Sequence, residues 1–189
     1  MQLESHPCAG SYIFATLANV IKDTQPLFAE ISNSIDVSIG RIWYHRNRLL
    51  DAFDVVDEVW PLQRLRHRIW VGDYAVHALR KAQVFLSYRP LSGMCRCRIL
   101  LRNNVERYPT DPVYSHISEE LVAVSHQLRG HRRRLGVAMS ICRAQGTQYF
   151  RPGVFFQLLV FLLDLTDHAL TYLSYAQDLL LDWPCELPL

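Results

Sequence analysis

Apolar side chains recur every three or four positions through most of this 189-residue chain, and no stretch alternates apolar and polar residues as a strand does. That spacing lines one edge of an α-helix with groups that avoid water. The first seam runs Phe28, Ile31, Ile35, Ile39, Ile42, Arg46, Leu49, Phe53, Val56, Trp60. A second runs Leu62, Leu65, Ile69, Gly72, Val76, Leu79, Gln83, Leu86. A third runs Tyr114, Ile117, Leu121, Val124, Leu128, His131, Leu135, Ala138, Cys142. The fourth is the widest, with Phe155, Leu158, Leu159, Leu162, Leu165, Ala169, Tyr172, Leu173, Ala176 and Leu179. The alternation of threes and fours approximates a heptad, the pattern of helices that pack side by side.

Prolines punctuate the seams. Thr24 reads as a helix cap with Pro26 in the first turn behind it, where a missing N–H costs little. A short helix over about 10–23 is therefore expected to precede the first long one. Pro61 and Pro90 bound the second stretch. Asp111-Pro112 opens the third and Gly146 closes it. Pro152 and Trp183-Pro184 bound the last. Residues 94–107, with Ile99, Leu100 and Val105, read as a further short helix. The expectation is an all-α fold in one domain, 1–189. It is an antiparallel bundle of four long helices (about 25–60, 61–89, 112–145 and 152–182) joined by short connections, because single apolar edges can be hidden only in a common core. A solenoid is the competing architecture. Gly72-Asp73-Tyr74, Ala78, Ala82 and Pro90 faintly resemble a tetratricopeptide repeat, but no second copy follows at that period.

Composition narrows the class. The chain is 50% hydrophobic and 20% charged, which suits a packed domain and not a disordered one. It has five cysteines, an odd number, with only Cys95 and Cys97 close together, so free thiols in a reducing, intracellular (cytoplasmic or nuclear) compartment are expected. The start MQLESHPCAG has no basic residue and does not read as a secretory signal. The longest apolar run, Val154–Leu163, is broken by Gln157 and closed by Asp164. That is about half of the ~20 residues a membrane span needs, so no transmembrane segment is expected.

Net charge is +2, but residues 61–148 are basic while 1–60 and 149–189 are acidic. Every basic side chain except Lys22 and Lys81 is arginine. Four clusters stand out: Arg41, His45, Arg46 and Arg48; Arg64, Arg66, His67 and Arg68; Arg96, Arg98 and Arg102; and His131, Arg132, Arg133 and Arg134. Arginine forks with stacking aromatics can grip nucleic acid or another polyanion, and Arg64, Arg66, Arg68, Arg96, Arg98, Arg132, Arg133 and Arg134 are the candidates for that. The same groups can serve as solvated faces and salt-bridge donors to the acidic helices, and an overall charge near zero favours that reading.

Polar residues on the seams form a second constellation. Arg46, Gln83 and His131 interrupt apolar rows, and Asp164, Asp167 and His168 lie on the most apolar helix. Such groups need partners when buried, and the ordinary outcome is a polar layer that fixes helix register. Asp54, Asp57 and Glu58 read as an acidic helix face. No HExxH, phosphate loop or GxSxG element occurs, so no catalytic residue, cofactor or metal is expected.

The plan of a short N-terminal helix followed by long ones is loosely similar to the cell-death bundles of the HeLo kind. Ala78-Leu79, Ala82, Phe85-Leu86, Cys95-Arg96-Cys97-Arg98 and Leu100-Leu101 carry that likeness, which covers a small part of the chain and is not membership. It implies peripheral membrane contact and a membrane-active bundle as one functional class. The leading expectation is different: a non-enzymatic protein–protein interaction module, an adaptor or subunit of a larger assembly, with a protein partner or a second copy. Trp, Tyr and Arg dominate binding hot spots, and Trp43, Tyr44, Arg48, Trp70 and Tyr74 are its candidate contacts.

Overall fold

A computed structural model describes residues 7–53, 59–87, 117–145, 153–181 and 183, with side chains from Ala15 onward in the first helix. Four helices make up the described residues: α1 (Pro7–Phe53), α2 (Val59–Leu86), α3 (Ile117–Gln145) and α4 (Gly153–Leu180). The fold is an all-α four-helix bundle. The expected short helix near 94–107 lies outside the described residues, as do Val56 of the first seam and Tyr114 of the third.

Two boundaries differ from the sequence expectation, and one is that Trp60, expected at the end of the first long helix, lies with Pro61 in the first turn of α2. The short helix over 10–23 and the long one after it are a single α-helix of 47 residues with Pro26 inside it. Thr24 is therefore not a cap, and its side chain is fully buried. An interior proline removes one backbone bond and crowds the carbonyl four residues back. Both Pro26 and Lys22 lie on the exposed side of α1, so the carbonyl left without its donor faces water. Val20, Ile21 and Phe28 flank the site in the core and hold the helix through it. Pro26→Ala should restore the bond. About 3 kcal/mol of proline penalty is recovered, less the entropy that proline removes from the unfolded chain, for a net gain near ~2 kcal/mol. A rise in the urea midpoint at constant slope checks this.

The four seams meet in one core. Phe28, Ile31, Ile35, Ile42 and Leu49 of α1, Leu79 of α2, Leu121, Leu128 and Leu135 of α3, and Leu159 and Leu162 of α4 are all essentially inaccessible. α1 packs on α2 and α3, and α4 packs on the same two, so α1 faces α4 across the diagonal and α2 faces α3. Every adjacent pair is antiparallel. Arg46 meets Asp73 while Gln83 meets Asp36, which sets α1 against α2. Arg41 meets Glu120 while Asp23 meets Arg134, which sets α1 against α3. Ser125 meets Gln177 while Arg132 meets Asp167, which sets α3 against α4. Phe85 stacks on His168 while Trp183 reaches Arg68, which sets α2 against α4.

Not all connections are short. α2 and α3 run parallel across the diagonal, so the link between Leu86 and Ile117 joins opposite ends of the bundle. This is a bundle with a crossover between two helical hairpins, and neighbours in sequence are not always neighbours in space.

Candidate functional site

The run His131-Arg132-Arg133-Arg134 is the most concentrated basic stretch in the sequence, and the helix disperses it. Successive residues on an α-helix point about 100° apart. His131 points into the core at 2% exposure. Arg132 reaches sideways to α4 and clasps Asp167 with both nitrogens, one contact being Nη2 to Oδ2 at 3.2 Å. Arg134 reaches the other way to α1, with Nη2 2.8 Å from Asp23 Oδ2. Arg133 is exposed. One turn of α3 thus ties α1 and α4 together.

At the centre of that turn, Thr24 Oγ1 donates to the carbonyl of Val20 at 2.8 Å. The same oxygen lies 2.8 Å from His131 Nε2. Since the hydroxyl proton is committed to Val20, the ring nitrogen must be the donor, which assigns the proton to Nε2. Nδ1 is then a bare acceptor with no hydrogen-bond partner. Phe28 closes the ring in edge-on, with centroids 6.0 Å apart. Burial, helped by Arg134 and opposed by Asp23, pushes the imidazole pKa down to about 4, so it is neutral near pH 7.

A second polar group lies towards the other end. Arg46 interrupts the α1 seam, and it binds Asp73 of α2 through Nε–Oδ1 at 2.6 Å and Nη2–Oδ2 at 3.2 Å. Its guanidinium also covers the Trp43 ring at 4.8 Å, which makes Trp43 a half-buried packing residue. Gln83 spends its amide on Asp36 at 2.7 Å and the Ser32 carbonyl at 3.0 Å. The three polar interruptions Arg46, Gln83 and His131 therefore all join helices. Asp164 and His168 are both exposed on the outer side of α4, and His168 still joins helices by stacking on Phe85 of α2. Asp167 is half-buried and held by Arg132.

In the sequence Trp183 marks only the end of the last helix. Its indole N–H donates to the Arg68 carbonyl at 3.1 Å, and its ring stands edge-on to His45 at 4.6 Å. His45 is buried there, and burial together with Arg68 and Arg48 lowers its pKa. Gly72 explains its place on a core seam through this ring: a Cβ added to it would lie 3.0 Å from Trp183 Cζ2. Gly72→Ala should push the indole out and cost about 1–2 kcal/mol. The check is a shifted Trp183 indole N–H resonance together with a lower melting temperature. An unmoved resonance would show that the ring is not seated on Gly72.

The remaining candidates fall on outer surfaces. Trp70 is 50% exposed and Tyr74 42%. They touch each other, with ring centroids 4.3 Å apart, and His67 leans on Trp70 at 6.0 Å. Tyr44 on α1 is also exposed, with Arg48 over its ring at 6.0 Å. Tyr44 lies about 160° around the helix from Arg46, which faces α2, so it does not share a surface with Trp70. The five candidate contacts thus divide into an α2 group, an α1 group and the packed Trp43. Among the basic candidates, Arg64 and Arg66 are exposed and point about 160° apart on α2, and Arg68 is half-buried. Arg96 and Arg98 lie outside the described residues.

A group that the sequence reading did not assemble spans α2 and α4. Phe85 stacks on His168 at 4.9 Å and on Tyr172 at 5.9 Å, with nearly parallel rings. Its signal is visible only once α2 and α4 are known to be neighbours. Cys142 is a buried core thiol whose pKa burial raises. Among the described residues no group of His, Cys, Asp or Glu is placed to hold a metal ion. Among the described residues one helical stretch, Phe155–Leu180, is long and apolar enough by length and composition to cross a membrane, although it falls on the helix that α2 and α3 pack against.

Comparison of the chain with protein-family models, with curated proteins and with solved structures finds no match in any of the three.

Proposed function

We propose that this protein is a non-enzymatic helical interaction module, an adaptor or a subunit of a larger assembly. The observation that carries the reading is the exposed Trp70–Tyr74 pair on α2, two large rings in mutual contact that leave about half their surface in water. Fixed exposed aromatics lose little entropy on binding and bury much area, which is why they anchor interfaces. The core of the bundle supplies the rigid support, since α2 buries Val76 and Leu79 on its opposite side.

Polyanion binding is the weaker alternative. Arg132 and Arg134 are committed to Asp167 and Asp23, so the densest basic run offers Arg133 alone to an outside phosphate. A membrane-active bundle has the length and apolarity of Phe155–Leu180 in its favour and no further support. The test is affinity capture from the cells that make the protein, with wild type and a Trp70→Ala/Tyr74→Ala variant of unchanged circular dichroism. Wild type should recover a defined protein set that the variant loses at least tenfold. Equal recovery by both would overturn the reading.

A further inference from the structure

The outer flank formed by α2 and α4 is two-toned. Tyr74 and Phe85 are eleven residues apart, three helical turns, and so lie in line on α2. Phe85 stacks on His168 and Tyr172 of α4, and Tyr175, 48% exposed, follows one turn on. Trp70, Tyr74, Phe85, His168, Tyr172 and Tyr175 thus run along one flank, with rings from both helices. On the α2 edge the exposed charges are basic: Arg66, Arg80 and Lys81 are exposed, and the one carboxylate of α2, Asp73, is held by Arg46. On the α4 edge they are acidic: Asp164 and Asp178 are exposed, and Gly153–Leu180 contains no lysine or arginine.

This pattern selects among occupants. An acidic peptide or a nucleic acid drawn to α2 would be repelled by α4, and a basic partner would meet the reverse. A surface with the same two edges in the opposite order satisfies both. A second copy of this chain, turned by a two-fold axis parallel to the helices, presents that order: its α4 lies over α2 and its α2 over α4. The opposed helices are then antiparallel, as every adjacent pair within the bundle already is. Residue pairs at one level within the bundle, Arg68 with Trp183 and Phe85 with His168, set Asp178 about level with Tyr74 of the facing copy, so the acidic edge of one copy lies along the basic edge of the other. From His67 to Phe85 the flank is about 27 Å long and about 20 Å wide. With both copies counted, that is of the order of 1,000 Å², where specific interfaces begin.

We propose that the α2–α4 flank is a self-complementary interface through which two copies pair, with aromatic rings at its centre and the basic α2 edge of each copy along the acidic α4 edge of the other. The proposal rests on the reading of the outer aromatics as contact residues and names the partner of that surface. Closed two-fold pairing of this kind uses each edge twice and leaves none over for further growth.

Sedimentation equilibrium of the full chain tests it, across low- to high-micromolar concentrations. Wild type should approach twice the 22.0 kDa of one chain. Tyr175→Ala should raise the dimer dissociation constant at least tenfold. Asp178→Lys, which sets a like charge against the basic edge of the facing copy, should raise it several-fold at low salt and by less at high salt, a salt dependence that no general loss of folding would produce. Wild type that stays monomeric throughout the range overturns the proposal, as does a dimer insensitive to all these changes. Saturable binding of polyglutamate or of a single-stranded oligonucleotide to a monomeric chain overturns it as well. A monomer whose Trp70→Ala/Tyr74→Ala variant still loses its captured proteins removes only the self-pairing and leaves the interaction reading standing.

Discussion

Phe28→Ala is expected to lower the unfolding free energy by about 3–5 kcal/mol, the range for emptying a buried aromatic site. Phe28 is 1% exposed and is the largest side chain sealed within the core. It stands where α1 and α3 meet, one turn beyond Thr24, with its ring edge towards His131. The loss is a large share of the 5–15 kcal/mol that holds a typical domain together. Urea unfolding followed by circular dichroism should show a much lower midpoint with an unchanged slope. A loss below about 1 kcal/mol would mean that water already reaches this part of the bundle, and the account of His131 would fail with it.

The second large effect comes from acid. His131 binds a proton near pH 6.5 when unfolded and near about 4 when folded. Between those values the unfolded chain holds the extra proton, so falling pH favours unfolding. The stability is fully present above 6.5, drains away as pH falls, and is all lost below about 4. The difference corresponds to about 3 kcal/mol for this residue alone. His45, whose pKa is also lowered by burial, acts in the same direction. His131→Leu should flatten the pH dependence between 7 and 4.5 with little cost at neutrality. Leucine has about the same size, leaves Thr24 its bond to Val20, and removes the bare Nδ1 acceptor. A variant with the wild-type pH profile would assign the acid sensitivity elsewhere. The two substitutions are coupled: with Phe28 gone, water should reach the imidazole, lift its pKa and shrink the acid effect.

The repeat of apolar positions was enough to find the core. Ile31, Ile35, Ile39 and Ile42 on α1, and the unbroken row from Ile117 to Cys142 on α3, are buried as their spacing requires. Local rules failed where tertiary packing outweighed them. The proline rule placed a break at Pro26, but burial on both sides carried the helix through. Which helices adjoin was not legible either, because four similar seams do not say which pairs share an edge. The polar positions Arg46, Gln83 and His131 were recognisable as interruptions, but their partners Asp73, Asp36 and Thr24 lie on other helices. The aromatic group of Phe85, His168 and Tyr172 stayed hidden for the same reason. Gly72 stands among the apolar residues of its seam, and only Trp183, distant in sequence, explains it.

The reversal of direction between all adjacent helices has an electrical consequence. Each helix carries about half a unit charge at either end, positive at the start and negative at the finish. With two helices pointing each way, these end charges offset one another, and the bundle has almost no polarity from end to end. Among the described residues, the outer flank carries a crosswise contrast instead, from the cationic ridge of α2 to the anionic ridge of α4. An approaching macromolecule therefore senses the molecule from the side, within the ~8 Å over which physiological salt lets charge be felt.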